Sequence, residues 1–153
     1  MQVFTRRASE SDCEVLALLE SEARASLDQF RGGSRLADEI SLIGVNWSQQ
    51  LSEVSTVTFV AGSNDVVMGY LLARLARAKS GNIATIEQVF VTKDARNLGI
   101  GDALVSTTIA FAKSGSLVAL DAYALPGDRE TKNLFERSGL VARLITVSTD
   151  LKN

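Results

Sequence analysis

The feature that most constrains the fold is a run in which a strand, a glycine turn and a helix follow one another without interruption. Residues 85–91 read Thr-Ile-Glu-Gln-Val-Phe-Val, a β-branched and aromatic stretch. A polar turn leads into Arg96-Asn-Leu-Gly-Ile-Gly101 and then into the helix-forming Asp-Ala-Leu-Val-Ser-Thr-Thr-Ile-Ala-Phe-Ala-Lys. The first turn of a helix has N–H groups without intrahelical partners and the positive end of the macrodipole, so anions settle there. Gly99 and Gly101 remove Cβ atoms that would hold a ligand away and open backbone angles closed to other residues. Arg96 adds a permanent charge and a forked donor for phosphate oxygens.

Two phosphate-binding motifs are excluded. No Gly-x-x-x-x-Gly-Lys-Ser/Thr run occurs. A dinucleotide fingerprint requires a third small residue where Leu104 stands, although Asp121 falls about 20 residues on from Gly101.

Val89-Phe-Val91 followed by Arg96-x-x-Gly99-Ile-Gly101-Asp-Ala-Leu104 resembles the acyl-CoA-binding motif of the GNAT superfamily of N-acyltransferases. That motif reads Gln/Arg-x-x-Gly-x-Gly/Ala after a strand ending in Val. Downstream, Asn133-Leu-Phe-Glu-Arg-Ser-Gly139-Leu140 resembles the family's helix ending in aromatic-Glu-x-x-Gly-aromatic. The likeness is specific in these two segments and extends loosely over nearly the whole chain through the length and order of its elements.

Composition agrees with one soluble, globular domain over 1–153, with 46% hydrophobic and 22% charged residues. A formal net charge of −2 argues against a nucleic-acid binder. No 18-residue apolar run or leader-like segment appears, and the single cysteine, Cys13, fits a reducing compartment; the expectation is a cytoplasmic protein without a membrane span. A place in the first turn of a helix can lower a thiol's pKa, but with no histidine to serve as partner base Cys13 reads as a small residue at a helix start. The chain has no histidine, which removes Ser-His-Asp and Cys-His catalysis and the usual zinc sites; no metal is expected.

Taken in order, residues 2–7 predict a first strand and 12–27 a helix, entered through capping boxes Ser9/Asp12 and Ser11/Glu14. A second helical region over 34–51, interrupted at Gly44, carries Trp47; in the family it borders the acceptor site. Strands over 55–61 and 66–77 are joined by Gly-Ser-Asn-Asp, a hairpin signal, and Gly69 predicts a bulge or a close backbone approach. The strand over 83–91 follows, then the helix over 101–114. The strand over 117–124 is apolar enough to lie centrally, and a right-handed crossover makes it parallel to 83–91. Asp128 caps the last helix, which stops at Gly139 with Leu140 packing back on Phe135. A terminal strand over 142–151 should pair with 117–124. The resemblance implies an α/β fold: a mixed, mostly antiparallel sheet of six or seven strands, helices on both faces, and a splayed central parallel pair.

The resemblance further implies acetyl-CoA as cosubstrate, held by Val89, Phe90 and Val91 of the strand and by Arg96, Asn97, Leu98, Gly99, Ile100, Gly101, Asp102 and Ala103 of the turn, with Phe135 on the last helix. The acceptor is a primary amine on a small molecule or a protein. Glu87, two residues before Val89, is the candidate base. Where the family often has a tyrosine to protonate the leaving thiolate, this chain has Phe135, so Tyr123 on the adjacent strand is the candidate acid. Asp128 stands where asparagine is common. These departures leave a second reading, an acyl-CoA-binding regulatory module with weak or no turnover. An exposed terminal strand would also favour a homodimer by edge pairing.

Overall fold

The computed structural model describes residues 2–152. Five strands form one sheet in sequence order: β1 (Val3–Arg7), β2 (Thr56–Ser63), β3 (Val66–Ala78), β4 (Gly81–Val91) and β5 (Ala119–Ala122). The first four are antiparallel neighbours, and β5 runs parallel to β4. The hairpin between β2 and β3 has two central residues, Asn64 and Asp65, both at positive φ (52° and 65°), the turn whose twist matches the flanking strands. Five helices accompany the sheet: α1 (Cys13–Ser26), α2 (Gly33–Glu39), α3 (Trp47–Ser52), α4 (Ile100–Ser114) and α5 (Arg129–Arg137). No helix of the described residues is long and apolar enough to cross a membrane.

Alternation along the strands divides the core between two faces. Leu16, Leu19, Trp47, Val60 and Tyr70 bury the face under α1 and α3. Phe59, Leu71, Ile86, Leu104, Val105, Leu134 and Phe135 bury the face under α4 and α5. Every residue of β2 is buried, as a strand covered on both sides must be.

Two bulges bend the sheet. Ala61 pairs with Gly69 and Gly62 with Val67, which leaves Met68 as the extra residue. A Cβ on Gly69 would lie 2.8 Å from the Phe90 carbonyl oxygen, so the expected bulge and the expected close approach both occur here. Further along, Leu72 pairs with Gln88 and Ala73 with Ile86, which leaves Glu87 as the extra residue of β4.

Two expectations are corrected. The sheet has five strands among the described residues, not six or seven, because residues 142–151 do not join it. Every residue from Val141 to Lys152 is exposed. Arg143 holds Asp121 at 2.6 Å, after which the chain departs toward α2, where Arg35 donates to the Ser148 hydroxyl at 2.8 Å. The 117–124 strand is therefore the sheet's edge and not central; its apolar residues Leu120 and Ala122 face the α4 side while the outer edge has no strand beside it. Cys13 is an unactivated thiol, in keeping with a small residue at a helix start: burial, with the Glu10 and Asp12 carboxylates nearby, pushes it up from its ordinary value.

Candidate functional site

The parallel ladder between β4 and β5 pairs Ile83 with Ala119 and ends at Ile86 with Ala122. The next residue of β4 is the bulged Glu87, and the next residue after β5 is Tyr123. Both sequence candidates for proton transfer thus stand where the two strands part. From Glu87 to Val91 the side of β4 that faced β5 has no strand partner, while β3 continues to pair with the other side. One group there is occupied: Arg96 donates its Nε to the Val91 carbonyl at 3.2 Å.

The bulge decides where Glu87 points. Its carboxylate accepts from Arg74 Nε at 3.1 Å, while Gln88 Oε1 accepts from the Tyr70 hydroxyl at 2.6 Å. Tyr70 and Arg74 lie on one face of β3, because they are four residues apart in a period of two. Neighbouring Glu87 and Gln88 therefore both face the α1 and α3 side, which an unbulged strand does not allow. Glu87 keeps a third of its side chain exposed. Tyr123 is 66% exposed and stands beside Arg143.

The turn into α4 meets the requirements of an anion seat. Asn97 and Gly99 take positive φ (66° and 83°), and the first helical bond runs from Ala103 N–H to the Gly99 carbonyl. Among the described residues, the N–H groups of residues 97–102 donate to no protein acceptor. Six unpaired N–H groups, from the turn and the first residues of a fifteen-residue helix, are an arrangement of the kind at which anions bind. The side chains serve other ends. Ile100 is buried in the core, Leu98 is at the surface, and Asp102 pairs with Arg137 at 3.1 Å.

The two glycines divide the work differently from the sequence expectation. A Cβ on Gly99 meets nothing within 4 Å, so Gly99 is required by its backbone angle alone. A Cβ on Gly101 would lie 3.2 Å from Leu134 Cδ2; Gly101 lets α4 approach α5 and keeps no ligand space clear.

Arg96 is engaged by protein. Beyond Val91 it pairs with Glu130 at 3.3 Å and lies 5.5 Å from the Phe90 ring centroid. Asp128 caps α5 by accepting from Thr131 N–H at 3.2 Å. Phe135 is buried in the core, and its carbonyl accepts from Leu140 N–H while Glu136 accepts from Gly139, the expected Schellman ending.

Glu20 is a buried charge beside the site that the sequence pattern does not single out. It is 2% exposed, and its carboxylate accepts from the N–H groups of Ile43 and Gly44, each at 2.9 Å, and from Trp47 Nε1 at 3.2 Å. Trp47 in turn sets its edge against Tyr70, with centroids 5.8 Å apart. Trp47 is therefore an anchor of the loop between α2 and α3. The one available signal was a glutamate on the apolar stripe of α1, four residues after Leu16.

The fold and site define a mixed α/β protein whose sheet opens between two parallel strands beside a helix N-terminus with free amides. A profile of the Acetyltransferase (GNAT) family matches residues 17–140. The chain belongs to that family.

Solved structures agree in fold. A transcriptional regulator from Bacillus halodurans C-125 superposes with a TM-score of 0.74 at 20% identity, covering 98% of this chain and 100% of that one. A ribosomal-protein-alanine N-acetyltransferase from Brucella melitensis biovar Abortus 2308 gives 0.72 at 16% identity, covering 98% and 100%. The aminoglycoside N-acetyltransferase AAC(6')-Iy, in complex with CoA, gives 0.73 at 13%, covering 97% and 95%. No curated protein matches the chain.

Proposed function

We propose that the chain is an N-acetyltransferase that moves an acetyl group from acetyl-CoA to a primary amine by direct attack on the thioester. The observation that carries this reading is the juxtaposition of the parted strands after Ile86 and Ala122 with the free N–H groups of residues 97–102. The CoA-bound aminoglycoside acetyltransferase of the same fold supports the choice of ligand.

Coenzyme A supplies an acetyl group activated as a thioester. The chain's part is to hold it and to manage protons. Amides of residues 97–102 take the pyrophosphate, and the open side of β4 at Val89 and Phe90 offers main-chain groups to the pantetheine arm as a strand would. A main-chain N–H near Val89 stabilises the oxyanion. A lysine-type amine is almost wholly protonated at neutral pH, its pKa being about 10.4, so a base is required. Glu87 takes that proton, directly or through water, from the side of the sheet that α1 and α3 border. Tyr123, beyond the last residue of β5, donates to the departing thiolate. Holding the two reactants in line supplies much of the rate.

One observation favours a second reading, a CoA-binding module without turnover: Phe135 has no proton to give and is buried, and Tyr123 is largely exposed. The two separate on free-thiol release from acetyl-CoA across a panel of amines. Release by the wild type, with loss of turnover but retained acetyl-CoA binding in Glu87→Gln, supports the transferase. Binding without release for any amine favours the module.

A further inference from the structure

Arg74 is the cation paired with the proposed base, and it uses a single nitrogen to do so. Its Nε donates to Glu87 Oε1 at 3.1 Å, and among the described residues its two terminal nitrogens donate to no protein acceptor. Arg6, Arg137 and Arg143 each meet a carboxylate with two nitrogens. In Arg74 the end of the guanidinium, where a carboxylate is bound in fork geometry, is left open, and 46% of the side chain is exposed. Arg74 shares a face of β3 with Tyr70, toward α1 and α3, and lines the cleft together with Glu87.

The charges around Arg74 decide which amines fit. The carboxylates that α1, α2 and β5 contribute to the cleft are each answered by protein. Glu20 has its three donors, and Glu22 accepts from the Thr92 hydroxyl at 2.9 Å and the Lys93 N–H at 3.3 Å. Glu39 is held by Arg35 and Asp121 by Arg143, both at 2.6 Å. Glu53, after α3, meets the Ser55 hydroxyl at 3.5 Å. A polyamine or an aminoglycoside carries several positive charges and requires several free carboxylates to receive them. This lining does not offer them, and it adds an open cationic fork beside the base.

Taking the transferase reading as given, we propose that the acceptor carries a carboxylate beside its amine, as a free α-amino acid does, and that Arg74 recognises it. The substrate carboxylate takes the two terminal nitrogens of Arg74 as a bidentate pair. The amine, one carbon away, is then set beside the Glu87 carboxylate that the same guanidinium holds through Nε. The N–C bond forms as the C–S bond of the thioester breaks. Of the two protons the ammonium loses, one leaves through Glu87 to water and the other ends on the CoA thiol. The product is an N-acetyl amino acid with its carboxylate intact. An amine that lacks the carboxylate leaves the fork to water and loses the orientation it provides.

The test is calorimetric titration of the full chain, alone and saturated with CoA, with the common L-amino acids and with their carboxamides, which lack the negative charge. The expected result is saturable binding of at least one amino acid, with its carboxamide bound more weakly by about tenfold or more. Arg74→Gln should bring that ratio near unity, and Arg74→Lys, which keeps the charge without the fork, should leave it intermediate. Far-ultraviolet dichroism and acetyl-CoA affinity should be unchanged in both variants. No binding by any amino acid, a carboxamide bound as tightly as its acid, tighter binding of spermidine or kanamycin, or a ratio that survives Arg74→Gln would each overturn the inference. Thiol release from acetyl-CoA separates this outcome from failure of the transferase reading. Release with other amines and no preference for amino acids overturns the acceptor class alone, whereas amino-acid binding as expected without release overturns the transferase and leaves the recognition by Arg74 standing.

Discussion

Arg74 Nε lies 3.1 Å from Glu87 Oε1, and the contact exists because β4 is bulged at Glu87. Without the extra residue, Glu87 and Gln88 would face opposite sides of the sheet, and the carboxylate would leave either the α1 side or the register of Val89. Removal of the guanidinium in Arg74→Ala frees the carboxylate to rotate. The pair is partly exposed, so global stability should change by at most about 1 kcal/mol. Turnover should fall about tenfold, a fraction of what misplacing a reacting group by 1 Å costs. Acetyl-CoA affinity should be unchanged, which calorimetry checks beside the thiol-release assay.

The two glycines of the turn should respond to different substitutions. Gly99→Ala meets open space but forces a left-handed backbone on an ordinary residue, a cost of about 1–2 kcal/mol. At this chain length that is a melting-temperature loss of roughly 2–8 °C. Gly101→Val instead pushes on Leu134 and should cost about 1–3 kcal/mol by overpacking. Parallel thermal melts would show whether both act through stability, as these geometries require.

Glu20 predicts a larger effect. Glu20→Ala strands three donors, the half-buried amides of Ile43 and Gly44 and the buried indole N–H of Trp47, and should cost about 2–3 kcal/mol. Glu20→Gln retains an acceptor and should cost less. Urea unfolding midpoints of the two variants test the ordering.

Asp12 contributes to the acid limb of stability, as Asp121 beside Arg143 does. Hydrogen bonds from Arg6 at 2.7 and 2.9 Å, then the Ser9 N–H, hold its carboxyl below the ordinary carboxylate value against the opposing effect of burial. A depressed folded pKa means that its contribution is full above the unfolded value of about 3.9 and is lost as pH falls through the folded one. Asp12→Asn should lower stability at neutral pH by about 1–2 kcal/mol, as loss of a helix-entry cap does. The variant should also flatten the pH dependence below about pH 4. Urea midpoints at several pH values measure both.

Much of this was legible because the signals were local. The two-residue turn at Asn64 and Asp65, the cap at Asp128 and the ending at Gly139 each depend on residues within a few positions of one another. Long-range relations were not legible. That Glu87 would meet Arg74 depends on the β3–β4 register and its bulge, which no spacing in the sequence fixes. Gly101 looked like a ligand-clearing residue because Leu134, the side chain it accommodates, lies 33 positions away. The alternation over 142–151 predicts a strand, yet among the described residues none forms there, because side-chain contacts from Arg143 to Asp121 and from Arg35 to Ser148 hold the segment where no backbone ladder is made. The apolar content of β5 reflects one covered face beside an open edge, not a central place in the sheet.

The most direct test of the central claim is calorimetric titration with acetyl-CoA of the wild type and of Gly99→Glu, which puts bulk and negative charge among the free amides of residues 97–102. The expected results are binding by the wild type with one site per chain and loss of binding in a variant that still melts cooperatively. Absence of wild-type binding to acetyl-CoA or CoA, or undiminished binding by folded Gly99→Glu, would contradict it.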